Sequence, residues 1–93
     1  MATLYYFLER ASDRAVCAFR DTQGLSVPFF STLEAARVAL GKAGSEFGVG
    51  ILPPDRVQSF AASCHKAGAA TMRLDPPERE LPEAGALTHL DLK

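Results

Sequence analysis

Few residues in this chain are of types that do covalent or metal chemistry, and their spacing decides what they can do together. The cysteines are Cys17 and Cys64 and the histidines are His65 and His89. Cys64 and His65 are adjacent, but neighbouring side chains on a helix point about 100° apart. A thiolate–imidazolium pair would therefore need His89 to arrive from elsewhere in the fold. Two cysteines and two histidines could supply four metal ligands, yet no C-x₂₋₄-C or H-x₃₋₅-H spacing holds them in a tetrahedral set, so neither a metal nor a cofactor is expected. Glu78, Glu80 and Glu83 read as a solvated loop, not as an acid/base pair, and neither G-x-S-x-G nor H-E-x-x-H occurs. No coherent catalytic set emerges.

A second group of residues points to binding. Gly48 and Gly50 fall on one face of an extended segment, where the absence of side chains lets a helix, or a ligand, approach the backbone. Pro53-Pro54-Asp55 suits the start of a helix, whose N–H groups attract anions. Arg37 lies within about 40° of Leu33 on a helical wheel, at the border of the apolar stripe, where its stem can lie along the core and its head reach water, a carboxylate or an anion. Arg37, Gly48, Gly50 and Asp55 are thus the candidate residues for a small anionic ligand. Interface candidates are Tyr5 and Phe7, from a first strand apolar on both faces, and Val38, on the far side of its helix from the apolar stripe.

These residues must be positioned by elements that the sequence pattern predicts. Thr3 to Glu9, Ala15 to Arg20 and Leu25 to Phe30 are apolar runs separated by polar turns and read as three strands. Pro28 cannot donate to a ladder, which places its strand at an edge or turns that position away from a neighbour. Ser31 followed by Glu34 fits a capping box that opens a helix with Leu33, Ala36 and Leu40 inward, closed by Gly41 and Gly44. Glu46 to Leu52 alternates as a fourth strand. Val57, Phe60, Ala61 and Cys64 then form the stripe of a second helix that ends at Gly68. Ala69 to Leu74 is a fifth strand, forming a right-handed crossover if it pairs in parallel with the fourth. Beyond Pro77 the sequence turns to charge and proline, which suggests a surface connection, and Ala86 to Leu92 alternates as a possible added strand or frays.

Composition narrows the class. The 93 residues suffice for one domain, and 47% hydrophobic with 23% charged residues is ordinary for a globular protein, so neither disorder nor a fibre is indicated. A net charge of −1 with mixed signs gives no footprint for nucleic acid. No apolar run approaches the roughly 18 residues that a membrane span needs. The first residues lack a basic segment followed by an apolar core, so a cytoplasmic location is expected, with both cysteines packing as small apolar groups.

Val27-Pro28-Phe29-Phe30-Ser31-Thr32-Leu33-Glu34-Ala35 resembles the corresponding stretch of the SseB-type N-terminal domain family, named for enhanced serine sensitivity. The family has a strand ending in Pro-x-Phe-Ser/Thr followed by Leu-Glu-Ala at a helix start. The similarity extends over residues 14 to 83, with Met72-Arg73-Leu74-Asp75-Pro76 standing where the family strand closes on Asn-Pro and Asp75 replacing the asparagine. The resemblance implies a bacterial cytoplasmic α/β module and brings no catalytic residues.

The expectation is an α+β single domain of order β-β-β-α-β-α-β, with two helices packed on a mixed sheet. Residues 1–77 form the core, and residues 78–93 form a surface connection and C-terminal segment. The leading functional expectation is a non-enzymatic binding or protein-interaction module, with a homodimer or another protein as partner. The alternative is a sensor or enzyme for a small anionic metabolite at the Gly48/Gly50 face and Arg37.

Overall fold

The computed structural model describes residues 4–81 and 87–92. The chain runs β1 (Tyr5–Arg10), β2 (Val16–Asp21), β3 (Gly24–Phe30), α1 (Leu33–Ala43), β4 (Phe47–Leu52), α2 (Val57–Ala67), β5 (Thr71–Leu74) and β6 (Leu87–Leu90), an α+β domain on one mixed sheet. The added C-terminal strand is present, pairing antiparallel with β2 from Val16↔Leu90 to Phe19↔Leu87. Thr3, Glu83 and Ala86, which the sequence pattern assigned to strand or loop, lie outside the described residues.

The sheet is built around a fork. β2 and β3 pair as a tight hairpin from Phe19↔Ser26 to Asp21↔Gly24, then part, and β1 enters between them. β1 meets β2 at Glu9↔Val16 and β3 at Tyr6↔Phe30 and Phe7↔Phe29. Pro28 sits in β3 where the fork opens. The carbonyls of Leu25 and Phe29 accept from Ala70 and Asp75 on the β5 side, so the nitrogen of Pro28 faces the fork, between the residues that β3 pairs with β2 and those it pairs with β1. β3 is therefore an interior strand, with β5 parallel along its other edge. β4 pairs antiparallel with β1 over all six residues, from Tyr5↔Leu52 to Arg10↔Phe47. β4 and β5 consequently sit at different margins of the sheet and do not pair, so the strand–helix–strand segment between them forms no paired crossover.

Successive residues of a strand face opposite sides, and here each side has its own core and its own helix. Leu8, Cys17 and Phe30 pack with Ala36, Ala39 and Ala43 of α1. Phe7, Val16, Ala18 and Val27 pack with Cys64 and Phe60 of α2. The inward stripe of α1 is thus alanine at i, i+3 and i+7, not Leu33, Ala36 and Leu40. Leu40 is half-buried and Leu33 is 40% exposed. Small side chains let the helix axis lie close to the sheet, and the bulkier Leu33 is rotated outward. The connection after β5 is also less superficial than its composition suggests, since Leu81 is buried in the α1 core.

The start of α1 differs from the expected capping box. The cap is Thr32, whose Oγ1 accepts from the N–H of Ala35 at 3.1 Å. Ser31 is instead engaged by Asp75, its N–H and hydroxyl both donating to the carboxylate at 3.0 and 2.6 Å.

Candidate functional site

The two cysteines are separated by the fold, and the histidines are held by structural bonds. Cys17 is buried on the α1 side and Cys64 on the α2 side, and both are free thiols. Burial away from water disfavours the thiolate, pushing Cys17 up to about 12 and Cys64 up to about 11. The imidazole of His65 donates from Nδ1 to the carbonyl of Ala69 at 2.8 Å, tying the helix end to the following turn. His89 accepts at Nδ1 from the Arg10 guanidinium at 3.0 Å, and Arg10 also grips Asp13 through two bonds of 2.9 and 2.5 Å. The fold does bring His89 directly across the β2–β6 ladder from Cys17, but its Nδ1 is taken by Arg10 and burial governs the thiol, so the pair is not set up as nucleophile and base. Among the described residues no group of three His, Cys, Asp or Glu side chains could hold a metal.

A polar cluster at the β2–β3 hairpin is likewise committed. Ser26, fully buried, donates to Asp21 at 2.5 Å and shares a 2.8 Å bond with the hydroxyl of Thr71. Arg73 lies between Asp21 at 3.9 Å and Glu80 at 2.5 Å. The Ser26 hydroxyl, the Gln23 N–H and the Arg73 charge hold the Asp21 carboxyl below the usual carboxylate range.

A groove of about 530 Å³ lies beside α2, within the range of small-ligand sites. Phe7, Leu52 and Phe60 contribute apolar surface, Leu92 a further wall, and Asp55, Arg56, Ser59 and Ser63 the polar part. Arg56, Ser59, Phe60 and Ser63 recur at i, i+3, i+4 and i+7, so the N-cap and one flank of α2 supply one wall of it. That spacing is readable in the sequence. What selects this flank is the β4 end opposite it, Ile51 to Pro53, which local pattern does not bring together with α2.

Of the residues picked for an anionic ligand, Asp55 lines this groove. Gly50 lies beneath it, covered by Phe7: a Cβ on Gly50 would fall 2.5 Å from the ring tip, and the same ring stacks against Phe60 with centroids 4.7 Å apart. The bare glycine backbone is therefore packed by an aromatic from the paired strand. A Cβ on Gly48 would meet nothing within 4 Å. Arg37 is exposed on α1, on the other side of the sheet, so the structure does not bring it together with Asp55. Among the interface candidates, Phe7 is used internally, Tyr5 is half-buried against Phe29 with ring centroids 5.9 Å apart, and Val38 is 43% exposed.

The β4 margin adds a second feature. Among the described residues β4 pairs with β1 alone, leaving its other edge without a strand. Ile51 on this strand is 62% exposed, more than Leu4, Leu33, Val38 or Leu74. No helix among the described residues is long and apolar enough to cross a membrane. No protein-family model, curated protein or solved structure matches the chain.

Proposed function

We propose that this chain is a small non-enzymatic module that binds protein, itself included. The observation that carries the reading is the coincidence of an open β4 edge, an exposed Ile51 and a groove of mixed lining at one margin of the sheet. Backbone groups on an open edge supply affinity to an added strand, and adjacent pockets supply selectivity. The thiols, imidazoles and Asp21, in contrast, serve packing or internal bonds. A cytoplasmic, bacterial setting and kinship with the SseB-type N-terminal domain belong to the same proposal, supported by the Val27 to Ala35 stretch.

The test is comparative capture with three immobilised proteins: the unaltered chain, Ile51→Lys and Val38→Lys. Proteins retained by the first and third and lost with Ile51→Lys assign binding to the β4 margin. Equal capture by all three contradicts it.

The volume and mixed lining of the groove favour one second reading, a small charged ligand held over Phe7 and Phe60 with Asp55 and Arg56 at its polar end. A thermal-shift screen of charged metabolites tests it. A shift that Arg56→Ala or Asp55→Ala abolishes supports the groove, and the absence of any shift across the panel counts against it.

A further inference from the structure

We infer that two copies of this chain join edge to edge through β4, antiparallel about a two-fold axis at Val49, with Glu46 of each copy meeting Arg56 of the other. This rests on the reading of the chain as a self-associating module and gives that reading a surface, a register and a charge pairing.

Three strands have an edge without a partner among the described residues, and two of them are guarded. β5 has four residues, carries Arg73 and runs into Pro76-Pro77, and β6 has four residues with His89 in the strand. Short length, charge and proline are the usual means of keeping an edge unpaired. β4 has none of them. Its six residues, Phe47-Gly48-Val49-Gly50-Ile51-Leu52, contain no charge and no proline, and they include the most exposed large apolar side chain named above.

The strand is also complementary to itself. With Val49 opposite Val49 of the second copy, Phe47 faces Ile51 and Gly48 faces Gly50. Large apolar groups then meet across one face of the joined sheet, and bare backbone meets bare backbone across the other. A slip of one residue would set Gly48 against Ile51 and Val49 against Gly50, joining the unlike faces of the two sheets. The two-fold arrangement makes the contact closed, with the same patch used on both copies.

Charge fixes the ends. In this register Glu46 lies opposite Leu52 of the second copy, and Leu52 lines the same groove as Arg56. Glu46 and Arg56 are both exposed, and neither takes part in an ion pair among the described residues. The axis repeats the contact, so two carboxylate–guanidinium pairs flank an uncharged centre. Asp55 beside Arg56 keeps each end near neutral, which suits a copy of the same chain better than a strongly charged partner.

The test is sedimentation equilibrium on the unaltered chain, Ile51→Lys, Arg56→Glu and the double variant Glu46→Arg/Arg56→Glu, with circular dichroism and melting as folding controls. Ile51 and Arg56 are exposed, so the single variants should fold normally. A dimer is expected for the unaltered chain at tens of micromolar. Ile51→Lys and Arg56→Glu should each weaken association by about tenfold or more, and the charge swap should recover it. A monomeric unaltered chain overturns both this inference and the self-association it rests on. A dimer indifferent to Ile51→Lys and Arg56→Glu overturns the β4 interface alone, and a double variant that fails to recover overturns the register.

Discussion

At the scale of single residues, Asp75 does more than its place after a short strand suggests. Its φ of 50° lies in the left-handed region, which aspartate tolerates better than most residues. Its N–H reaches the carbonyl of Phe29, and its carboxylate receives both donors of Ser31. One residue thereby joins the end of β5 to the end of β3 and the entry of α1. Asp75→Ala should cost about 1–3 kcal/mol in urea unfolding, from two bonds to a charged acceptor and the backbone strain. Asp75→Asn, which keeps the conformational tolerance and one acceptor, should cost clearly less. The same contact explains the misread cap. Ser31 and Glu34 satisfy the local rule for a capping box, but the competing partner of Ser31 lies 44 positions away and leaves the role to Thr32. The thiols allow a second residue-scale prediction. Buried and held well above the ordinary thiol range, Cys17 and Cys64 should not react with a thiol reagent at pH 8 in the native protein, and both should react once urea unfolds it.

At the scale of elements, the two glycines of β4 stand in unlike surroundings. Gly50 is roofed by the Phe7 ring and Gly48 faces open space. Gly50→Ala should therefore destabilise by about 1–3 kcal/mol, since the ring is also clasped by Phe60 and cannot retreat freely. Gly48→Ala should be neutral or stabilise by up to about 1 kcal/mol through the unfolded chain. Equal effects of the two changes on the urea midpoint would show that Phe7 does not cover Gly50 in this way. The strands themselves were legible, because the apolar runs of β1, β2 and β3, the alternation over β4 and the polar turns between them are local signals. Their pairing was not. The fork of β2 and β3 around β1 depends on where three strands twist apart, and Pro28 marked it only as a position without a donor. The inward face of α1 was misjudged for a related reason: Leu33 and Leu40 outrank alanine in hydrophobicity, but close approach to the sheet favours Ala36, Ala39 and Ala43.

For the whole molecule, acid should be the condition to which folding is most sensitive. The Arg10 guanidinium holds the Asp13 carboxyl well below the usual range, and the Ser26 hydroxyl lowers that of Asp21. An acid whose pKa is lower in the folded than in the unfolded chain binds fewer protons when folded. Its contribution is complete above the ordinary carboxylate pKa of about 4 and is lost as pH falls through the lowered folded value. The urea midpoint should thus be flat between about pH 7 and pH 5 and fall below about pH 4, and Asp21→Asn should reduce that fall. An unchanged slope in the variant would remove Asp21 from the explanation. The candidate site was partly readable at this scale. Asp55 and the Gly48/Gly50 strand were marked by type and spacing, but Arg37 was set aside from them once α1 and α2 took opposite sides of the sheet. The importance of Ile51 emerged only from the strand order that leaves β4 at a margin.

The β4 margin as a pairing edge is the central claim, and amide hydrogen exchange measures it directly. Exchange of residues 47–52 should slow as protein concentration is raised through the association range, while the amides of β5 stay unchanged. Exchange in β4 that is independent of concentration, in a sample shown by sedimentation to associate, would contradict the account.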